Sequence, residues 1–210
     1  GKNYPGGENS AGVDAFSIFN TLGGDFTRRQ SWQLGLAVYH NQYQSRDALG
    51  EHDHHDEPSA HNHEMAIDDG DNVIAAIDFV YKWRLSKQQS LQLQSEYLYR
   101  KEQGTWLIVD ENEQADFKSR YHGFYIQGVY QFSQYWRTGL RVDAINAKHN
   151  FKTLDAEFTE ETTLAENPST IKGLSVMLDY RPSHFSTLRL QVGALDNGLN
   201  TQHTVSLQYL

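Results

Sequence analysis

The chain has 210 residues, 18 Lys and Arg against 27 Asp and Glu, a formal net charge of -9 and no cysteine. The acidic balance argues against nucleic acid as a partner and for cations, and the lack of thiols excludes disulfide frameworks and thiolate metal sites. Mean hydropathy is -0.68 and no apolar run approaches the roughly 20 residues of a membrane-crossing helix, which excludes a helical membrane protein but not a barrel, whose strands show lipid only every second side chain.

Twelve Tyr, ten Phe and four Trp beside four Pro favour strands. Two-residue alternation predicts nine of them, near 11–26, 31–46, 72–85, 89–102, 119–133, 136–149, 171–181, 186–195 and 201–210. In the second, Trp32, Leu34, Leu36 and Val38 share a face opposite Gln33 and Gly35. In the third, Val73, Ala75, Ile77, Phe79, Tyr81 and Trp83 oppose Asp78, Lys82 and Arg84. Phe124, Ile126, Tyr130 and Phe132 oppose Gln127 and Gln131, and Leu140 and Val142 oppose Arg137, Arg141 and Asp143. The last three strands set Leu174, Val176, Leu178 and Tyr180 against Ser175 and Asp179; Leu188, Leu190 and Val192 against Arg189 and Gln191; and Val205, Leu207 and Tyr209 against Ser206 and Gln208.

Tight connections near 27–30, 86–88, 134–135 and 182–185 alternate with long polar ones near 47–71, 103–118 and 150–170. Short turns at one rim and long loops at the other are the habit of bacterial outer-membrane barrels. Trp83, Tyr97, Tyr99, Trp106, Tyr121, Tyr135, Trp136 and Tyr180 are expected in interfacial girdles. The fold class is thus all-β, an antiparallel up-and-down transmembrane β-barrel forming one domain over 1–210. Single-chain bacterial barrels close with even strand numbers. Nine strands imply either a further short strand within residues 1–10 or, preferably, the C-terminal segment of a larger barrel. A Gly start without a signal peptide fits a processed or excised chain.

The string YIQGVYQFSQYWRTGLRVD (Tyr125–Asp143) resembles a family of proteobacterial outer-membrane barrels of about twice this length. GLSVMLDYRPSHFSTLRLQV (Gly173–Val192) and HTVSLQYL (His203–Leu210) look like that family's closing strands, and DFVYKWRLS with LQLQSEYLYRKEQG like its central hairpin. The resemblance implies a bacterial outer-membrane protein in outer-membrane lipid, porin-like or TonB-dependent-receptor-like, associated with uptake of divalent metal, zinc above all. It also implies upstream strands and a Gly/His-containing tail beyond Leu210. Nothing here looks like a plug domain or TonB box.

The loop at 47–71 is the sharpest local feature. His52, His54, His55, His61 and His63 stand among Glu51, Asp53, Asp56, Glu57, Glu64, Asp68, Asp69 and Asp71, with no Lys or Arg between Asp47 and Asp71. Imidazole suits zinc, copper and nickel, and carboxylates add charge, so the tract is expected to gather divalent cations through His52, His54, His55, His61, His63, Asp53, Asp56, Glu57 and Glu64. It lacks the HExxH spacing of a rigid catalytic zinc site. The bland alternative is a solvated acidic loop. No cofactor is required beyond zinc or a similar cation held there.

Asp78, Lys82, Arg84, Glu96, Arg100, Arg137, Arg141, Asp143, Asp179 and Arg189 form a second group, expected to line a pore with Arg181 and to tune its selectivity, or simply to keep the interior polar and pin register. His40, His122, His149, His184 and His203 read as lumen or rim residues. No nucleophile elbow or phosphate loop occurs, so the chain reads as no enzyme. The readings are solute passage or receptor-type uptake with external zinc collection, a general porin or structural barrel, and, third, an outer-membrane hydrolase, which would need Ser, His and a carboxylate converging at one rim.

Overall fold

The computed structural model describes residues 15–47, 65–108, 113–152, 170–183 and 185–209. These form one antiparallel sheet whose nine strands pair in chain order: β1 (Ala15–Thr27), β2 (Gln30–Asp47), β3 (Met65–Arg84), β4 (Ser90–Ile108), β5 (Glu113–Gln131), β6 (Trp136–Lys152), β7 (Thr170–Ser183), β8 (Ser186–Asp196) and β9 (Thr201–Tyr209). Among the described residues β1 and β9 do not pair with each other, so the sheet is open with two edges.

Side-chain alternation sorts the sheet into two faces. One register line runs Tyr81, Leu93, Gly128, Leu140, Val176, Val192 and Val205 from β3 to β9. Most of this face is exposed apolar surface, including Ile77, Phe79, Ile126, Leu140, Leu174, Val176 and Leu190. The opposite face carries Asp78, Glu96, Tyr125, Asp143 and Asp179 and is generally the more buried, with Asp179 fully enclosed. A sheet without a second layer buries one face only by curling toward it, and here it curls around its polar side. We call the faces outer and inner.

The turns at the short rim share a local device. Thr27 Oγ1 accepts the Arg29 N–H at 3.2 Å, Ser86 Oγ that of Gln88 at 3.2 Å, Ser133 Oγ that of Tyr135 at 3.3 Å and Ser183 Oγ that of Phe185 at 3.2 Å. A hydroxyl two residues upstream satisfies an N–H that the ladder leaves free and holds the tight turn. At the other rim the β8–β9 turn relies on Asn197, whose Oδ1 accepts from Leu199 and Asn200 N–H, and on Gly198 at φ 83°, a left-handed conformation that glycine adopts without steric cost.

Two expectations about the long-loop rim require correction. β3 begins at Met65, so the connection to β2 is 48–64, and β4 and β5 run to Ile108 and from Glu113, so most of the loop expected at 103–118 is strand. The reason is an inversion of polarity. In these extensions the apolar residues point inward: Tyr43, Met65, Ile67, Trp106, Ile108, Ala115 and Phe117 form the buried core of the chain, with Phe151 against it. Their outer faces carry Lys101, Lys118, Arg120, Asp116 and Lys152, the last two an exposed pair at 3.9 Å. Trp106, expected in a girdle, is therefore an inner residue, 5.0 Å from Phe117 and 5.6 Å from Phe151 between ring centroids. Tyr121 also faces inward, with the Arg100 guanidinium 5.0 Å from its ring centre.

A bulge contributes to this inversion. The β3–β4 register shifts between Asp68 and Asp71, and Asp69 has φ 47°. Buried positions on β3 step from Asn72 and Gly70 to Ile67 and Met65, and on β2 from Asn41 and Tyr43 to Arg46, which turns Arg46 inward. The Tyr43 ring lies flat against Gly70, where any Cβ would overlap it.

Candidate functional site: the inner wall

Ten of the eleven charged residues expected in the interior stand on the inner face by register, Arg181 lying in the irregular stretch between Tyr180 and Ser183, but they do not form one ring. Asp78 lies across Gly35 of β2 and opposite Glu96 of β4. Lys82 and Arg84 line a depression at the short-turn rim with Asp25, Arg28 and Arg29. On the same register line as Arg84, Arg137 Nε donates to Asp179 Oδ2 at 2.6 Å, while Arg189 donates from Nε to Oδ1 at 2.9 Å and from Nη2 to Oδ2 at 3.1 Å. Beside this triad, Arg141 Nε donates to Asp143 at 2.7 Å, and its guanidinium stacks 3.9 Å over the Tyr125 ring, whose hydroxyl accepts from Gln94 at 2.8 Å. Three neighbouring strands thus hold three guanidinium groups against two carboxylates.

A second network sits where the polarity inverts, and its centre, Glu102, was not among the expected residues. Glu102 is 2% exposed. Its Oε1 accepts from Tyr43 OH at 2.6 Å and from Arg46 Nε and Nη2 at 3.0 and 2.7 Å, and its Oε2 from Arg100 Nη2 at 2.6 Å. Arg100 Nε reaches Asn72 Oδ1 at 3.0 Å, and Asn72 donates to Asn41 at 2.9 Å. Glu102 was legible in part, since it shares its strand face with Glu96 and Arg100; Arg46 was not, because the bulge breaks the alternation that would assign it. This layer separates the apolar core above from the polar wall below.

The outer face has its own boundaries. Near the short turns Phe26 meets Trp32 and Tyr81 at 6.1 and 6.3 Å, and Trp136 meets Tyr180 at 4.8 Å. At the far side Tyr97 and Tyr99 surround His122, 6.2 and 5.1 Å away, and His40 Nε2 lies 3.0 Å from Asp71 Oδ2. By register His40, His122 and His203 face outward, whereas His149 faces inward. Between the two aromatic belts the outer face is apolar for about the 9–11 residues of a tilted crossing.

The ligands expected in the 47–71 tract, His52, His54, His55, His61, His63, Asp53, Asp56, Glu57 and Glu64, lie outside the described residues, as does His184. Among the described residues no three His, Asp or Glu side chains stand together as a metal cage.

Glu102, Ser119 and His149 are register neighbours on β4, β5 and β6, and Ser119 Oγ lies 3.1 Å from His149 Nδ1. The order is wrong for a catalytic triad, which needs the imidazole between the hydroxyl and the carboxylate. Here serine stands in the middle, fully buried, and both Glu102 oxygens are engaged by Tyr43 and two arginines.

A single curled sheet that exposes apolar rows outside and encloses ion pairs inside is the wall of a transmembrane β-barrel. The chain belongs to the family described as "Putative beta-barrel porin-2, OmpL-like", whose model matches residues 11–206. Membership places it among porin-like barrels of the bacterial outer membrane. It is also similar to an uncharacterized protein of Aquifex aeolicus (strain VF5), 29% identical over 124 residues, which is 59% of this chain and 24% of that protein. The match thus takes in about a quarter of the relative's length.

Proposed function

We propose that this chain forms part of the wall of an outer-membrane channel through which small hydrophilic solutes pass along the inner face. The observation that carries the reading is the pairing of an apolar outer band with an inner wall of fixed arginines and carboxylates, in a chain of porin-like family. Open sheet edges are not tolerated in lipid, so β1 and β9 pair with further strands, which we assign to the same polypeptide on the strength of the relative's greater length. Passage is tested by reconstituting the intact protein in planar bilayers. Stepwise ionic current is expected, and intact, inserted protein without current would contradict the reading.

Collection of zinc or similar divalent cations by the 47–71 tract is the finer proposal, supported by five histidines within His52–His63. Receptor-type uptake coupled to an energy source draws no support from the inner wall, and a general porin accounts for it equally well. Zinc titration of the intact protein against a variant with His52, His54, His55, His61 and His63 changed to Ala decides the matter. Loss of binding in the variant is expected, and equal binding would leave only an acidic rim.

A further inference from the structure

We propose that the inner wall of β6–β8 is a binding subsite for small oxyanions, solutes carrying phosphate or carboxylate groups. The inference deepens the passage reading, since it supposes that the inner face meets water and solute.

The site is a depression of about 410 Å³ lined by Arg141 and Arg189 on strands that flank β7, with Ser175, Gln127 and Gln191 between and beside them. Its arginines are held in place before any ligand arrives. Asp179, with no exposed surface, grips Arg189 through two hydrogen bonds and Arg137 through one. Arg141 is fixed from one side by Asp143 and from below by the Tyr125 ring. A guanidinium carries five N–H donors, so these bonds leave each arginine with donors to spare. The side chains of Arg137, Arg189 and Arg141 remain 28%, 23% and 40% exposed, within reach of solvent.

Donor geometry, not net charge, settles which ligand sign is favoured. The carboxylates nearby, Asp143, Asp179 and Glu96, balance the three guanidiniums, but Arg141 and Arg189 turn spare N–H groups toward the depression. Planar forks of this kind match the oxygens of carboxylate and phosphate two at a time. Ser175, Gln127 and Gln191 add neutral donors suited to a third oxygen. A divalent cation, by contrast, would find Asp143 and Asp179 already occupied by arginine.

The test is titration of the intact protein in detergent micelles with inorganic phosphate, read by calorimetry. Arg141→Gln removes one charged donor and should weaken binding about tenfold. Asp143→Asn frees Arg141 and should tighten it. Lys172→Gln makes the same net charge change as Arg141→Gln on the outer face and should leave affinity unchanged. Both Arg141 and Asp143 are partly exposed, and retained heat-resistant folding on gel electrophoresis shows that each variant is intact. Absence of phosphate binding, or equal loss in Arg141→Gln and Lys172→Gln, would overturn the proposal. Bilayer recordings separate the two levels: phosphate binding without current refutes passage and keeps the subsite, whereas current unaffected by phosphate, with no calorimetric binding, refutes the subsite and keeps passage.

Discussion

Glu102→Gln is the sharpest perturbation of the layer that divides the apolar core from the polar wall. The glutamate receives four hydrogen bonds from Tyr43, Arg46 and Arg100, and both guanidinium partners are nearly as enclosed as it is, at 7% and 9% side-chain exposure. Glutamine keeps the shape but removes the charge and replaces one acceptor by an NH₂ group that must face a guanidinium. Breaking a buried ion pair by deleting one partner costs about 3–5 kcal/mol. Arg46 and Arg100 have further interactions that survive, so the lower end, about 3 kcal/mol, is expected. Urea unfolding in detergent micelles, followed by tryptophan fluorescence, measures it. Replacing the whole triad, Glu102→Leu with Arg46→Met and Arg100→Met, should cost less than Glu102→Gln alone, because no uncompensated charge remains. A loss below about 1 kcal/mol for Glu102→Gln, the range of a solvated pair, would refute the claim that this network is dry and mutually dependent.

Val176→Arg puts a charge in the middle of the outer apolar band and should cost about 2–4 kcal/mol in folding into lipid vesicles. Ser175→Arg, one residue away on the inner face, should cost well under half as much in the same assay; equal costs would contradict the assignment of faces. Gly70→Ala drives a methyl into the Tyr43 ring and should destabilise by about 1–3 kcal/mol in the same unfolding measurement.

How much of this could be read from the residues differs along the strands. From β6 to β9 the alternation is clean, Leu174, Val176 and Leu178 against Ser175 and Asp179, and there the expected strands and faces agree with the structure. Above the outer belts the expectation failed, because it sought apolar rows facing lipid. Trp106, Ile108, Ala115 and Phe117 obey the same two-residue period with the opposite sense, as strands in water with an apolar interior do. Single-sequence periodicity reports that faces differ without saying which one is inside. The Asp68–Asp71 bulge was invisible for a related reason: it interrupts the period, and an interrupted period reads as a loop. The pairing of Arg137 with both Asp179 and, through it, Arg189 needed the register, which brings residues far apart in sequence onto one line.

The central claim is that successive residues of β7 look alternately at lipid and at water. The chain has no cysteine, so single cysteines at 174, 175, 176, 177 and 178 can be spin-labelled cleanly in the vesicle-reconstituted protein and their collision rates with oxygen and a water-soluble nickel chelate compared. Labels at 174, 176 and 178 should favour oxygen and those at 175 and 177 the chelate. A flat profile, or the alternation in opposite phase, would contradict the account.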